Sequence, residues 1–325
     1  MFVRLTDVTR PTYDKVLITG GAGFIGSHTA DVLLDNDVNV WILDDLTTGS
    51  LRNLKRWKNH KRLHFLKGSI TRWTDVKRAA KPVEAIIHLA ALTSPKRSIL
   101  LPEETFHVNV TGTANLLHAA KVNEIQRFVY ASSCAVYGNA TVPPIPESAS
   151  QKPTTPYAAS KMIGEKCCST FAEAYDLDTV ALRYFNVYGP KQNPAYAGVI
   201  TKFAKTLLAG SRATIHGNGE QTRDFINISD VVTANLLALR TKRGVGQCYN
   251  IGTGQETSIN QLHNVMASLL RIKTKPIQDP PMEGDVRRSC AETEKARAIL
   301  GFESKTSLKL GLKMLIDSMR QSKTS

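Results

Sequence analysis

The chain has 325 residues, 42% of them hydrophobic, which is enough to bury a large core as one or two domains. Its apolar stretches, such as 83–92, are too short to cross a bilayer, so no membrane partner is expected. The net charge of +14, from 42 basic and 28 acidic side chains, is scattered rather than gathered into one run. That distribution argues against nucleic acid and for a solvated basic surface that draws anionic small molecules.

The first segment, 1–11, is mixed and polar, without the apolar core of a signal peptide, and reads as a flexible arm. The far end, 321–325, reads the same way. Five cysteines (Cys134, Cys167, Cys168, Cys248 and Cys290) show no metal spacing, and the adjacent pair reads as helix packing. A reduced, cytoplasmic chain with no structural metal is the expectation.

Residues 15–19 form a buried-strand pattern, broken by glycines and followed by a helical run over 24–34. A second strand over 38–43 closes at Asp44. Strand patterns at 64–66, 85–89, 128–131 and 179–184 then alternate with helical ones at 73–80, 105–122 and 157–175. Such alternation predicts a parallel sheet covered on both faces. After Gly189-Pro190 a loop over 191–198 leads into a helix from Val199, with short strands at 213–216 and 225–228. Ser258 and Gln261 form a capping box for a helix over 260–270. Leu308, Leu312, Leu315, Ile316 and Met319 lay an apolar stripe along a last helix.

Gly20, Gly23 and Gly26 sit between the first strand and the first helix, with Phe24 and Ile25 opening that helix. Glycine lets the backbone approach a pyrophosphate, and the helix N-terminus offers free N–H groups. Asp44 ends the next strand, where a carboxylate grips the adenine-ribose hydroxyls and repels a 2′-phosphate; NAD is favoured over NADP. The chain is therefore expected to be α/β, with a Rossmann-type doubly wound parallel sheet over 12–190, to which 225–258 returns. A smaller mixed α/β substrate-binding lobe is expected from 191–224 and 259–320.

Tyr157 and Lys161 are four apart on a helix, so their side chains share a face. A phenol has an ordinary pKa near 10, and a nearby cation favours its ionised form, which makes Tyr157 a candidate base. Ser133 follows the 128–131 strand, where parallel sheets present ligand-contacting groups. His88, after an apolar strand, reads as a satisfied core histidine, and Cys134 as packing.

These residues bring a family into view. The chain resembles, over about 15–302, the extended short-chain dehydrogenase/reductases, in particular the NAD-dependent UDP-glucose and UDP-N-acetylglucosamine 4-epimerases. The landmarks are the Gly-x-x-Gly-x-x-Gly turn, Leu43-Asp44, His88-Leu89-Ala90-Ala91, Asn109 to Thr113, Ser132-Ser133 with Val136-Tyr137-Gly138, Tyr157 with Lys161, Asn186 to Gly189, and Arg223-Asp224-Phe225. The resemblance implies that Ser69, Ile70, Leu89, Ala90, Ala91 and Asn109 join the NAD site and that Lys161 reaches the nicotinamide ribose. Ser69 stands where the family has an aspartate that contacts adenine. On the substrate side it implies Ser133 and Tyr157 at the sugar, and Val199, Asn186 and Arg223 around the nucleotide and its phosphates. Met282 stands in place of a phosphate-binding arginine, for which Arg287 or Arg288 is the expected substitute. Ser289 is expected to bound the sugar pocket and, being small, to leave room for an N-acetyl group.

Cys134 and Ala135 occupy positions where related dehydratases carry an acidic pair and decarboxylases a glutamate, which disfavours both reactions. The implied activity is 4-epimerisation of a UDP-hexose through a 4-keto intermediate. A 4-epimerase of UDP-glucuronate or another nucleotide sugar stays open, as does a catalytically silent NAD-binding sensor. Homodimerisation through the helices at 105–122 and 157–175 is implied as well.

Overall fold

A computed structural model describes residues 12–139, 142–193, 195, 197–273, 275–282, 284 and 286–324. The arm expected over 1–11 lies outside the described residues. Six parallel strands come first in the chain: β1 (Lys15–Thr19), β2 (Asn39–Asp44), β3 (Leu63–Lys67), β4 (Ala85–His88), β5 (Arg127–Ser133) and β6 (Thr179–Tyr184). With β11 (Gln247–Ile251) they make one sheet in the order β3-β2-β1-β4-β5-β6-β11. The order reverses between β1 and β4, which is where such sheets open a ligand crevice.

Side chains on a strand point alternately to its two faces, and here both faces are buried. Val16, Ile18, Ile42, Ile87 and Val129 pack on one side with α1 (Phe24–Asp35). Leu17, Leu43, Ile86, Phe128 and Tyr130 pack on the other with α2 (Trp73–Ala80). After α3 (Pro95–Leu100), the helix expected over 105–122 begins earlier, at α4 (Pro102–Phe106), and continues through α5 (Gly112–Val122). Between those two parts lies a π-helical turn, His107–Thr111, centred on Asn109. One extra residue in a turn re-aims the side chains beside it, and such turns cluster at functional sites.

α6 (Pro156–Tyr175) lies over β5 and carries Tyr157 and Lys161. Thr155 caps it, its hydroxyl accepting from Ala158 N at 3.2 Å, with proline in the first turn where no donor is needed.

The smaller lobe has three short strand pairs. β7 (Asn186–Tyr188) pairs with β10 (Phe225–Asn227), β8 (Thr214–His216) with β13 (Ile277–Asp279), and β9 (Thr222–Arg223) with β12 (Thr257–Ser258). α7 (Val199–Leu208), α9 (Ile259–Leu270) and α11 (Leu308–Thr324) enclose its core around Phe203, Leu207, Ile215, Leu262 and Leu315. The Ser258–Gln261 capping box forms at the start of α9. α11 runs to Thr324, so the end expected to be flexible from 321 is helical up to that residue. α8 (Ile228–Arg240) packs on α1 and α10 (Glu294–Leu300) on β11, so the chain returns from the lobe to cover the large sheet.

Gly164, on the face of α6 that meets β5, sits where any Cβ would overlap the hydroxyl and ring of buried Tyr130. Alanine is the better helix former by about 1 kcal/mol. Overpacking against a ring fixed in the sheet costs about 1–3 kcal/mol and wins. Gly164→Ala is therefore expected to lower the thermal midpoint by several degrees; an unchanged or higher midpoint contradicts this packing.

Candidate active site

A cavity of about 490 Å³ opens at the C-terminal ends of β1, β4 and β5, between the sheet and the lobe. Its walls include Gly20, Gly23, Phe24, Ile25, Gly26, Asp44, Ile70, Leu89, Ala90, Ala91, Ser133, Tyr157, Lys161, Asn186 and Val199. Sequence reasoning had placed all of these at a site, and the fold gathers them into one cleft.

At one end lies the glycine turn. Gly20 has φ +69°, and a Cβ there would come within 2.8 Å of Ala90 N, so the turn and the β4 end close only on glycine. Gly23 is the N-cap of α1 and offers no side chain to its first N–H groups, which stay available to an anion. Asp44 accepts from Ala22 N (2.9 Å) through one oxygen and from Leu46 N (2.8 Å) through the other. Burial raises its carboxyl pKa while these two bonds oppose the rise, and each oxygen keeps a lone pair for a ribose hydroxyl. The groups present suit a dinucleotide.

Two expected cofactor contacts are not placed at the cleft. Ser69 is turned into a local motif, its Oγ accepting from Thr71 N (3.3 Å) and bonded to Thr71 Oγ1 (2.9 Å), and the wall there is made by Gly68 and Ile70. Asn109 is 1% exposed and spends its amide within the protein. Its Oδ1 accepts from Leu92 N (2.8 Å), and its Nδ2 donates to Leu92 O (3.0 Å) and Ser160 Oγ (2.9 Å). It ties the wall segment that follows β4 to α6, beside Lys161.

His88 is a core histidine, as its sequence setting implied. Its Nδ1 bonds Thr19 Oγ1 (2.7 Å), and its Nε2 bonds Thr113 Oγ1 (2.9 Å). Because Thr113 gives its own proton to Asn109 O (2.6 Å), Nε2 must be the donor. Burial, helped by the charge of Lys161, pushes its pKa down to about 3 and keeps it neutral.

At the other end stand Ser133, Tyr157 and Lys161. Lys161 Nζ donates to Ala131 O (2.8 Å), and Ser133 Oγ accepts from Ala135 N (3.2 Å). Burial pushes the Tyr157 phenol up to about 12, against hydrogen bonding to Ser133. It pushes the Lys161 ammonium down to about 8, against the negative charge of groups including Glu165. Lys161 was expected to draw Tyr157 towards phenolate; within the protein alone desolvation outweighs it, and the phenol stays protonated at neutral pH. Cys134 is likewise pushed up by burial, to about 11, which leaves it an unreactive thiol.

Behind this group lies a network that the sequence reading missed. Glu165 follows Lys161 by four residues, on the same helix face as Tyr157. Arg183 on β6 reaches both its oxygens (2.8 Å each), and Ser132 and Gln151 donate to it as well. Arg183 continues to Tyr137 Oη (2.7 Å), which donates to Asn250 on β11 (2.7 Å). The i, i+4, i+8 spacing of Tyr157, Lys161 and Glu165 was the available signal.

On the lobe side, Asn186 lines the cleft, its Oδ1 buried with no hydrogen-bond partner among the described residues. Arg223 lies next door on β9, its Nη1 held by Thr222 O (2.8 Å) and Val286 O (2.5 Å). Its neighbour Asp224 is engaged elsewhere, accepting from Thr253, Gly254 and Ala291 N–H groups. A second cavity, lined by His216, Asp279, Met282 and Arg287, adjoins this region. Of the two expected substitutes for a phosphate-binding arginine, Arg287 lines that cavity, whereas Arg288 pairs with Glu256. Ser289 does not form the cleft wall; it is 7% exposed and lies close enough to Cys134 to oppose the rise of its thiol pKa. Among the described residues no cluster of three His, Cys, Asp or Glu is placed to hold a metal, and no helix is long and apolar enough to cross a membrane.

The sequence profile of the NAD dependent epimerase/dehydratase family matches residues 16–252. The chain belongs to that family. NAD is accordingly its cofactor, and the glycine turn with Asp44 is where this epimerase/dehydratase family member has the groups to hold it. The UDP-glucose 4-epimerase of Mycolicibacterium smegmatis is 39% identical over 310 residues, 94% of this chain and 98% of that protein. A UDP-glucose 4-epimerase from Thermotoga maritima, solved with UDP-glucose, matches at TM-score 0.90 and 36% identity, covering 95% of this chain and 99% of the other. The UDP-N-acetylglucosamine 4-epimerase from Methanobrevibacter ruminantium, in complex with UDP-N-acetylmuramic acid, matches at TM-score 0.91 and 34% identity, over 95% and 99% of the two chains.

The buried ammonium of Lys161 costs this enzyme stability. A lysine pKa held down near 8 instead of 10.5 corresponds to roughly 3 kcal/mol, from which its bond to Ala131 returns about 1 kcal/mol. Lys161→Met is expected to raise unfolding free energy by about 1–2 kcal/mol at pH 7. Below pH 8 the lysine is charged in both folded and unfolded chains, so the gain is full there; between 8 and 10.5 the folded chain sheds its proton first and the gain shrinks. Denaturant titrations at pH 7 and pH 10 check both parts, and a destabilised variant at pH 7 refutes the argument.

Proposed function

We propose that the protein is a UDP-hexose 4-epimerase working through a 4-keto sugar with NAD that stays bound. The observation that carries this reading is the grouping of Tyr157, Ser133 and Lys161 at the cleft with Cys134 and Ala135 beside them. Neither of those two neighbours can serve as the acid and base that eliminating water from the sugar needs. The similarity to 4-epimerases over nearly the full chain supports the same choice.

When bound, NAD supplies a reversible hydride acceptor and a positive nicotinamide. Tyr157 Oη takes the proton from the sugar 4-hydroxyl and later returns it, while Ser133 Oγ holds that oxygen in line. A phenol with a pKa near 12 in the protein alone needs an added positive charge to act near neutrality, so proton removal waits for the loaded site. Lys161, anchored on Ala131 O, stands one helical turn from Tyr157 and completes that positive surrounding. Asn186, Arg223 and Arg287 are the groups proposed to grip the nucleotide diphosphate.

Ser289, small and near Cys134, is proposed to act on an N-acetyl group through the room it leaves beside that thiol. A homodimer is proposed on the family likeness, and α3 leaves Leu100 and Ile99 78% and 61% exposed beside the helices expected to pair. A cytoplasmic location is proposed from the five free cysteines.

Product analysis by proton NMR tests the reading. The NAD-loaded protein is incubated separately with UDP-glucose, UDP-N-acetylglucosamine and UDP-glucuronate. A C4 epimer of one of the first two, with no NADH released, is expected; an epimer of UDP-glucuronate alone moves the substrate, and none from any of the three overturns the proposal. Tyr157→Phe is expected to lower turnover about 10²–10⁴-fold with NAD still bound.

A further inference from the structure

Where the chain leaves the large sheet for the lobe, it runs along the wall of the cofactor cleft. Residues 190–193 lie opposite the segment 45–53 that follows Asp44, and both line the cleft. Two hydrogen bonds join the two sides, and two more tie residues 190–191 to α1. Pro190 O is bonded to His28 Nε2 on α1 (3.0 Å). Lys191 Nζ donates to Asp31 Oδ2 (2.7 Å) and to Asn53 O (3.0 Å), and Asn193 Nδ2 donates to Thr48 O (3.0 Å).

The 45–53 segment is in turn fastened to the glycine turn, since Ser50 N and Asn53 Nδ2 both donate to Ala22 O (3.0 and 2.9 Å). Asp31, 5% exposed, also accepts from Trp57 Nε1 (2.8 Å) and is a fixed anchor. Lys191 adopts φ +65°, a backbone conformation that a lysine takes up only against a cost. Its ion pair with a buried carboxylate offsets that cost and spends its charge within the protein.

We propose that 190–193 and 48–53 form a strap over the dinucleotide, and that Lys191 and Asn193 set how fast NAD enters and leaves. Each fastening joins protein to protein, so the strap must open for entry and exit alike, and both rates scale with the open fraction. A catalyst that returns NAD to its starting oxidation state each cycle gains from such retention, whereas one that must discharge NADH every turnover does not. The inference rests on NAD as cofactor and not on which sugar is used.

Stopped-flow fluorescence with NADH as the probe, on the full chain without any nucleotide sugar, tests it separately from the epimerase reading. Lys191→Met is expected to raise both association and dissociation rates about tenfold, with Kd changing less than threefold. Asn193→Asp keeps the acceptor that takes Ala195 N (3.0 Å) but turns an oxygen towards Thr48 O, so the loop turn survives and both rates rise a few-fold. Circular dichroism confirms that each variant is folded. Unchanged rates overturn the strap, and so does a dissociation rate that rises alone with Kd in proportion, because the two residues are then ordinary dinucleotide contacts.

Discussion

Glu165 and Arg183 meet as a doubly hydrogen-bonded ion pair whose side chains are 3% and 6% exposed. Removing one partner of such a pair strands a charge away from water, at about 3–5 kcal/mol. Neither residue lines the cleft, yet their pairing fixes the elements that do. It clamps α6 to β6, and the Ser132 hydroxyl that also donates to Glu165 immediately precedes Ser133. Helix and strand are thus registered against each other beside Ser133 and Tyr157 in the cleft wall. Tyr137 and Asn250 extend the same network to β11, so the last strand of the sheet is keyed to its reactive end.

With that frame rigid, desolvation governs the chemistry. Tyr157, Lys161 and His88 are all buried, and burial disfavours the charged form of each, whatever its sign. The phenol rises, the ammonium falls and the imidazole stays neutral. Under the proposed reading such a site is quiet until it is loaded, because the charge needed to ionise Tyr157 would come with the cofactor. Low local dielectric also strengthens whatever charge arrives there.

Much of this was legible in the chain. The two-sided burial of β1, β2, β4 and β5 is written in their unbroken apolar runs, and the glycine turn, Asp44 and the Tyr157–Lys161 spacing each carry their geometry in the residue count. What a pattern cannot show is whether a polar group is already engaged. Ser69 and Asn109 stand at positions the family resemblance marks for cofactor, but Thr71, Leu92 and Ser160 take their hydrogen bonds first. Ser289 faces Cys134 for a similar reason. β11 escaped as an element because Gln247-Cys248-Tyr249-Asn250-Ile251 mixes polar and apolar residues without alternation. Its Asn250 is buried only because Tyr137, Ile145 and Glu292 are there to bond it.

The late arrival of β11 has a consequence for how the chain is made. β6 is wholly buried in the finished protein, and its outer neighbour is β11, with Val180 opposite Gln247 and Tyr184 opposite Ile251. As the chain emerges from the ribosome, more than sixty residues, including the start of the lobe, follow β6 before its partner appears. Throughout that interval Thr179-Val180-Ala181-Leu182 is an apolar strand with an open row of backbone donors and acceptors, the kind of edge that recruits another chain. The topology that lets the sheet reach across to the lobe therefore also concentrates the hazard of misassembly at β6 during synthesis.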